Sequence, residues 1–160
     1  MSLYKTKLTS EQALIKIQKY CAYQERSHKE VTEKLYGFGL WKNQVESIIV
    51  DLLTDNFLNE ERYAEAYASG KFRIKKWGKI KIKLKLKEQR VSDYCIKKAL
   101  NEIDSEEYAA TINILIDKKT IDYSKKYEGW QLKSKLINYL LQKGFEYDEI
   151  KAQIEYRSSN

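Results

Sequence analysis

The sequence predicts an all-α chain: three tandem three-helix units stacked into an elongated, curved array. Three observations lead there. The 160 residues contain no proline, which turn-rich β folds commonly use. Apolar residues recur at helical spacing in one segment after another. The chain also repeats itself. KEVTEKLYGFGLWKNQVESII (Lys29 to Ile49), IKIKLKLKEQRVSDYCIKKAL (Ile80 to Leu100) and SKLINYLLQKGFEYDEIKAQI (Ser134 to Ile154) align in five apolar columns. These are Val31, Ile82 and Leu136; Leu35, Leu86 and Leu140; Leu40, Val91 and Phe145; Val45, Ile96 and Ile150; and Ile49, Leu100 and Ile154. The offsets are 51 and then 54 residues in every column, and a fixed period of that length signals a helical repeat.

The elements follow in order. In the first unit, residues 8–57, Thr9 with Gln12 reads as a capping box ahead of a helix whose buried face is Ala13, Leu14, Ile17 and Cys21. Ser27 with Glu30 opens a second helix on Val31 and Leu35, and a third follows on Val45 and Ile49. In the second unit, residues 58–103, Asn59 precedes Glu60 and Glu61, acids in a first turn where the helix macrodipole favours them. Tyr63, Ala64, Tyr67 and Ala68 form the face of that helix. In the third unit, residues 104–157, Asp104 with Glu107 starts a helix on Tyr108, Ala109, Ile112 and Ile116. A linker from Thr120 to Gly129 lengthens this unit, and Gly144 stands where a C-terminal cap belongs. Units of about 50 residues bury little core alone, so neighbours are expected to stack. The opening Met1, Ser2 and Leu3, which a cloning remnant would also supply, carry no weight.

The stretch KIKIKLKLK, Lys79 to Lys87, alternates like a half-buried strand. Its counterparts in the other two copies do not alternate; they carry i, i+4 apolar pairs, so the stretch is read as a helix. Ile82 and Leu86 then face the core, and Ile80 and Leu84 form a second apolar stripe about 160–200° away. That stripe faces a neighbouring unit or a partner.

The net charge of +7 is concentrated. Lys71 to Arg90 holds ten bases and one acid, Glu88, for +9, and the other 140 residues sum to −2. A basic patch on a near-neutral body is the footprint of a polyanion site, most often nucleic acid; a merely solvated helix face is the plainer reading. Cys21 and Cys95 have no metal-type spacing. Cys21 lies in phase with the core, and free thiols suit a reducing cytoplasm. No signal-peptide pattern opens the chain, and no apolar run reaches the roughly 20 residues of a membrane span.

Catalytic signals are thin. His28, the one histidine, is read as a surface or cap residue. Glu60, Glu61, Glu106 and Glu107 sit at helix starts. No phosphate-cradling glycine loop and no nucleophile–base set can be assembled, so the chain is read as a non-enzyme. The basic segment interleaves Phe72 and Trp77 with cations, and aromatics of that kind either stack on unpaired bases or pack inside. Three-helix units are similar to helix-turn-helix readers, but the sequence offers no set of base-reading side chains, so backbone contact is expected.

The stretch FLNEERYAEAYASGKFRIKKWGKIKIKLKLKEQRVSDYCIKKAL, Phe57 to Leu100, resembles the central module of the RecX family of recombination regulators. The resemblance lies in Arg62, Tyr63 and Ala64, then Tyr67, a basic run, the pair Trp77 and Gly78, and a basic helix with Ile82 and Leu86 ending before Val91. The threefold arrangement extends it over most of the chain, Leu8 to Tyr156. The resemblance implies a monomeric, cytoplasmic protein of DNA repair, homologous recombination and the SOS response, needing no cofactor or metal. Such a protein binds the RecA recombinase filament on single-stranded DNA, lodges along its groove and inhibits its ATPase and strand exchange. It also binds DNA itself, double-stranded DNA being a second form. Carried over, the matching cations are Lys71, Arg73, Lys75, Lys76, Lys81, Lys83 and Lys87; with Trp77 and Lys79 they make up the candidate surface for DNA or the filament. Three positions depart from the family pattern. Lys79 replaces a helix-opening proline, Ile80 and Leu84 replace polar residues, and Arg90 replaces a turn glycine. The rival reading is a stand-alone basic helical module that binds nucleic acid without a recombinase partner.

Overall fold

The computed structural model describes residues 7–159; Met1, Ser2 and Leu3 lie outside the described residues. Among the described residues there are nine helices and no strand: α1 (Ser10–Tyr23), α2 (His28–Gly37), α3 (Lys42–Thr54), α4 (Glu60–Arg73), α5 (Lys79–Glu88), α6 (Asp93–Asn101), α7 (Ser105–Tyr123), α8 (Gly129–Gln142) and α9 (Tyr147–Ser159). The alternating lysine stretch is helical, as the repeat required. No helix among the described residues is long and apolar enough to cross a membrane.

Four helix starts, those of α1, α2, α4 and α7, involve the residues that signal them. Thr9 and Gln12 form a reciprocal capping box. Asn59 accepts from the Arg62 N–H at 2.8 Å, and Asp104 from the Glu107 N–H at 2.9 Å. Ser27 is only half of the expected box. Its hydroxyl accepts from the Glu30 N–H at 3.0 Å, while the Glu30 carboxylate lies 3.4 Å from the Tyr63 hydroxyl instead of reaching back. The start of α3 carried no cap signal in the sequence reading; there Gln44 accepts from the Trp41 N–H at 2.8 Å. The expected linker Thr120–Gly129 is half helical: α7 continues to Tyr123 and α8 begins at Gly129, which leaves residues 124–128 as the connection, and Ser124 N–H still bonds to Thr120 C=O.

The five repeat columns sort by depth. Val31, Ile82, Leu136, Leu35, Leu86, Leu140, Leu40, Val91, Phe145, Val45, Ile96 and Ile150 are all buried, whereas Ile49, Leu100 and Ile154 are half-buried in each copy. The repeat also has a backbone signature. Gly39, Arg90 and Gly144 occupy the same register just before the third column, and all three have positive φ: +84°, +60° and +96°. A glycine at this turn thus answers a conformational requirement, since a left-handed residue costs about 1–2 kcal/mol with a Cβ present, and Arg90 adopts the same conformation with its Cβ in place.

The fold resolves into two compact units by contact: one comprises the chain through Ala66 together with Leu86–Ile96, the other Tyr67–Lys85 together with the chain from Lys97. The core of the first is built on Ala13, Ile17, Val31, Leu35, Val45, Ile48 and Leu52, with Leu8, Phe38 and Phe57 packed against it. Cys21 belongs to it as a small core residue; burial pushes its thiol up, so it stays protonated and unreactive. In the second unit α7, α8 and α9 pack on one another, around Ile112, Leu115, Leu140, Phe145 and Ile150.

Candidate polyanion-binding surface

The basic segment begins where α4 ends. Lys71 and Arg73 lie in its last turn, where cations suit the macrodipole. The chain then turns through Lys76, whose φ is +56°, and the Trp77 N–H closes the helix end on the Lys71 carbonyl at 3.1 Å. This geometry brings two ammonium groups to the Trp77 ring, with Lys71 Nζ 5.1 Å and Lys81 Nζ 4.5 Å from its centroid. Lys71 also lies 5.5 Å from the Tyr67 ring. Phe72, the other aromatic of the segment, is only 3% exposed and packs 5.7 Å from Tyr108. Phe72 is therefore core and cannot stack on a base; Trp77 is half-buried.

Helix α5 starts in an unusual way. Its first N–H groups find acceptors far away in the chain. The Gly78 N–H donates to the Lys143 carbonyl at 2.8 Å, the Ile80 N–H to the Gly144 carbonyl at 3.0 Å, and the Lys79 N–H to the Tyr108 hydroxyl at 3.0 Å. The α8–α9 turn thus supplies acceptors for the first turn of the basic helix. The approach is so close that a Cβ on Gly78 would lie 2.2 Å from the Gly144 carbonyl carbon. This is why glycine follows Trp77. Helix N-termini often hold phosphate, but these N–H groups are engaged, so anion binding here falls to side chains.

Tyr108 holds the arrangement from below. It is buried, donates to Glu146, and packs 5.2 Å from Phe145. Burial, together with the hydrogen bond to Glu146, pushes its phenol far above the ordinary tyrosine range. Lys79 Nζ lies over its ring at 5.0 Å, so Lys79 is turned toward the protein as well as toward solvent.

The nine candidate residues do not share one role. Lys71, Trp77 and Lys81 form the stacked set. Arg73 reaches Glu107 at 3.6 Å, an exposed pair worth at most about 1 kcal/mol. Lys75, Lys83 and Lys87 are exposed, Lys87 on the last turn of α5, which belongs to the other compact unit. Lys76 is half-buried at its left-handed turn. Ile80 and Leu84, the second stripe, are uncovered at 46% and 57% exposure.

The structure adds a member that the sequence reading missed. Lys143 donates to the Lys75 carbonyl at 2.7 Å. Partial burial lowers its pKa, and the positive charges of Lys81, Lys118, Lys119 and Lys75 lower it further. An incoming anion would offset the repulsion among these lysines. Lys143 is more than 60 residues from Lys79 in sequence, so no local spacing could have disclosed it; the one signal was its position beside Gly144 in the repeat.

The family-motif residues have structural reasons to be there. Arg62 donates to Glu25 at 2.5 Å and to the side chain and carbonyl of Asn56 at 3.1 and 3.0 Å, fixing the start of α4. Tyr63, Ala64, Ile82, Leu86 and Val91 are buried. His28 is the first residue of α2, directly after the cap Ser27; it is half-buried, and its Nε2 is buried with no hydrogen-bond partner. Among the described residues, no three or more His, Cys, Asp or Glu side chains converge as a metal site would require.

Two family models match the chain: the RecX second three-helix domain over residues 59–100 and the RecX third three-helix domain over residues 106–154. The regulatory protein RecX of Clostridium perfringens strain SM101 is 36% identical over 124 residues, 77% of this chain and 58% of that protein. The RecX of Streptococcus uberis is 31% identical over 133 residues, 83% of this chain and 50% of the relative. The chain thus spans about half the length of the curated relatives it matches. A crystal structure of RecX from Lactobacillus salivarius superposes with a TM-score of 0.85 at 26% identity, covering 94% of this chain and 97% of that one.

Proposed function

We propose that this chain, which belongs to the RecX family of regulatory proteins, binds the RecA filament on single-stranded DNA and suppresses its ATPase and strand exchange, without catalysing a reaction of its own. The observation that carries this reading is the segment Tyr67–Lys85, which holds eight lysines and arginines and no acid, joined by Lys143. In this reading Lys71, Lys75, Lys81, Lys83 and Lys143 neutralise phosphates or acidic protein surface, and Trp77 meets an unstacked base. The repeats at 8–57, 58–103 and 104–157 act as successive contact modules, the outer two bridging adjacent protomers. Because the α5 N–H groups are already engaged, affinity depends on side-chain cations. Binding to a bare single strand then falls with salt, by about 0.7 log units per log unit of salt for each phosphate contacted.

Inhibition works by differential binding: the chain must prefer a filament state that does not turn over. The test is the ATPase rate of the cognate RecA on single-stranded DNA, titrated with the chain. Strong suppression at a small fraction of DNA-site occupancy is the expected result. Suppression only when the DNA is saturated would replace this reading with the stand-alone nucleic-acid-binding module. No suppression alongside tight DNA binding would exclude the filament activity for this chain.

A further inference from the structure

We infer that the outward face of α5 docks an acidic, partly apolar surface of a protein partner, and that it is not a nucleic-acid contact. The inference rests on the functional reading above and divides its basic segment in two: phosphates for Lys71 and Lys143 beside Trp77, protein for the face centred on Ile80 and Leu84.

Ile80 and Leu84 are 46% and 57% exposed and sit one above the other at i, i+4, opposite the fully buried Ile82 and Leu86. Lys81 and Lys83 flank them, and no acid occurs between Tyr67 and Lys85. The face is therefore an aliphatic centre with a cationic rim. A nucleic acid offers phosphates, which need charge and hydrogen-bond donors, and bases, which need a flat ring to stack on. Two branched aliphatic side chains supply neither. A second copy of this face would set Lys81 and Lys83 against their own images, and like charges across an interface are unfavourable. An anionic bilayer would attract the lysines, but two aliphatic side chains on a ten-residue helix bury less than the single acyl chain that gives only marginal anchoring. A protein surface with apolar side chains ringed by Asp and Glu satisfies both the centre and the rim, which is the ordinary anatomy of a specific interface.

The test uses the double variant I80Q/L84Q, which keeps good helix formers at exposed positions, and Lys83→Glu as a second variant on the same face. Each is measured against the cognate RecA filament and against a labelled single-stranded oligonucleotide. Covering the exposed remainder of two aliphatic side chains is worth about tenfold or more in affinity. The expected result is a filament affinity reduced by at least about that factor, with oligonucleotide affinity unchanged for I80Q/L84Q. Parallel loss of both affinities would assign the face to nucleic acid, and no loss of either would show it unused. A wild-type dimer that the double variant dissociates would assign it to a second copy. Loss of binding to phosphatidylserine vesicles, with the filament unaffected, would assign it to a membrane. Each of these overturns the inference. A wild-type chain that ignores the filament overturns the functional reading and this inference with it, an outcome separate from a variant that binds as well as the wild type.

Discussion

Two seams of the molecule stand in the same repeat register and are built differently. In the first unit the start of α2 meets the turn after α5: the Ser27 hydroxyl donates to the Gln89 side chain at 2.7 Å, and Lys29 Nζ donates to the Glu88 carbonyl at 3.1 Å. One repeat later, in the second unit, the start of α5 meets the turn after α8, where Gly78 and Ile80 donate main-chain bonds to Lys143 and Gly144. Position 27 advanced by 51 is 78, and position 89 advanced by 54 is 143, the offsets of the apolar columns. The first seam is joined mainly by side chains, the second by backbone. Serine can cap its own helix and still reach across. Glycine gives up the cap but lets two main chains touch, and the neighbouring turn then caps the helix in its place. The repeat dictates where the seams lie, and the residue at the seat decides how near they come.

Substitutions can break or sharpen this contrast. The largest effect is expected from Gly78→Ala, because its Cβ would lie 2.2–2.3 Å from main-chain atoms of Gly144 and Phe145. Backbone cannot step aside as a side chain can, so the loss should reach about 3 kcal/mol or more, at the upper end of overpacking, in urea unfolding. Tyr108→Phe comes next. It leaves the Lys79 N–H without its acceptor and Glu146 without its donor, a loss of about 1–3 kcal/mol for stranded buried groups. The pH dependence has a definite sign. The folded phenol holds its proton above the unfolded value of about 10. Tyr108 therefore contributes fully below that pH and loses the contribution as pH rises further. The wild-type advantage over Tyr108→Phe should shrink in unfolding curves taken above pH ~10.

Ser27→Ala removes both a cap and the bond to Gln89 and should lower stability by about 1–2 kcal/mol; an equal loss at Gly78→Ala would erase the contrast between the seams. Arg90→Gly restores at the middle turn the residue its two counterparts carry, and should raise stability by about 1 kcal/mol, read as an increase in the thermal midpoint. The smallest stability change, within about 0.5 kcal/mol, is expected for Lys81→Glu with Lys83→Glu. That pair should nonetheless weaken filament inhibition and flatten its salt dependence, separating the fold of α5 from its use.

The fold was legible because burial leaves a period. Val31, Ile82 and Leu136 could be aligned without coordinates, and the alignment overruled the alternation of Lys79–Lys87. The site was legible only in part. Charge density pointed to Lys71–Lys87, but the role of each cation depends on neighbours distant in the chain: Glu107 for Arg73, the Tyr108 ring for Lys79, and the α8–α9 turn for the whole start of α5. Such contacts leave no local spacing to read. Phe72 and Trp77 show the limit well. They are five residues apart in the same cationic context, yet one is core and the other half-buried, because Phe72 lies within α4 and Trp77 in the turn beyond its end.

The engagement of α5 by Lys143 and Gly144 also orders events in time. A ribosome adding about 5–20 residues per second needs about 3–13 s to pass from Gly78 to Gly144, and until then the Gly78 and Ile80 N–H groups lack their native acceptors. Pairings so remote in sequence form late, since loop closure must precede them. During synthesis the lysine-rich stretch therefore emerges as flexible polycation, and it becomes a shaped surface only once the last helices have been made.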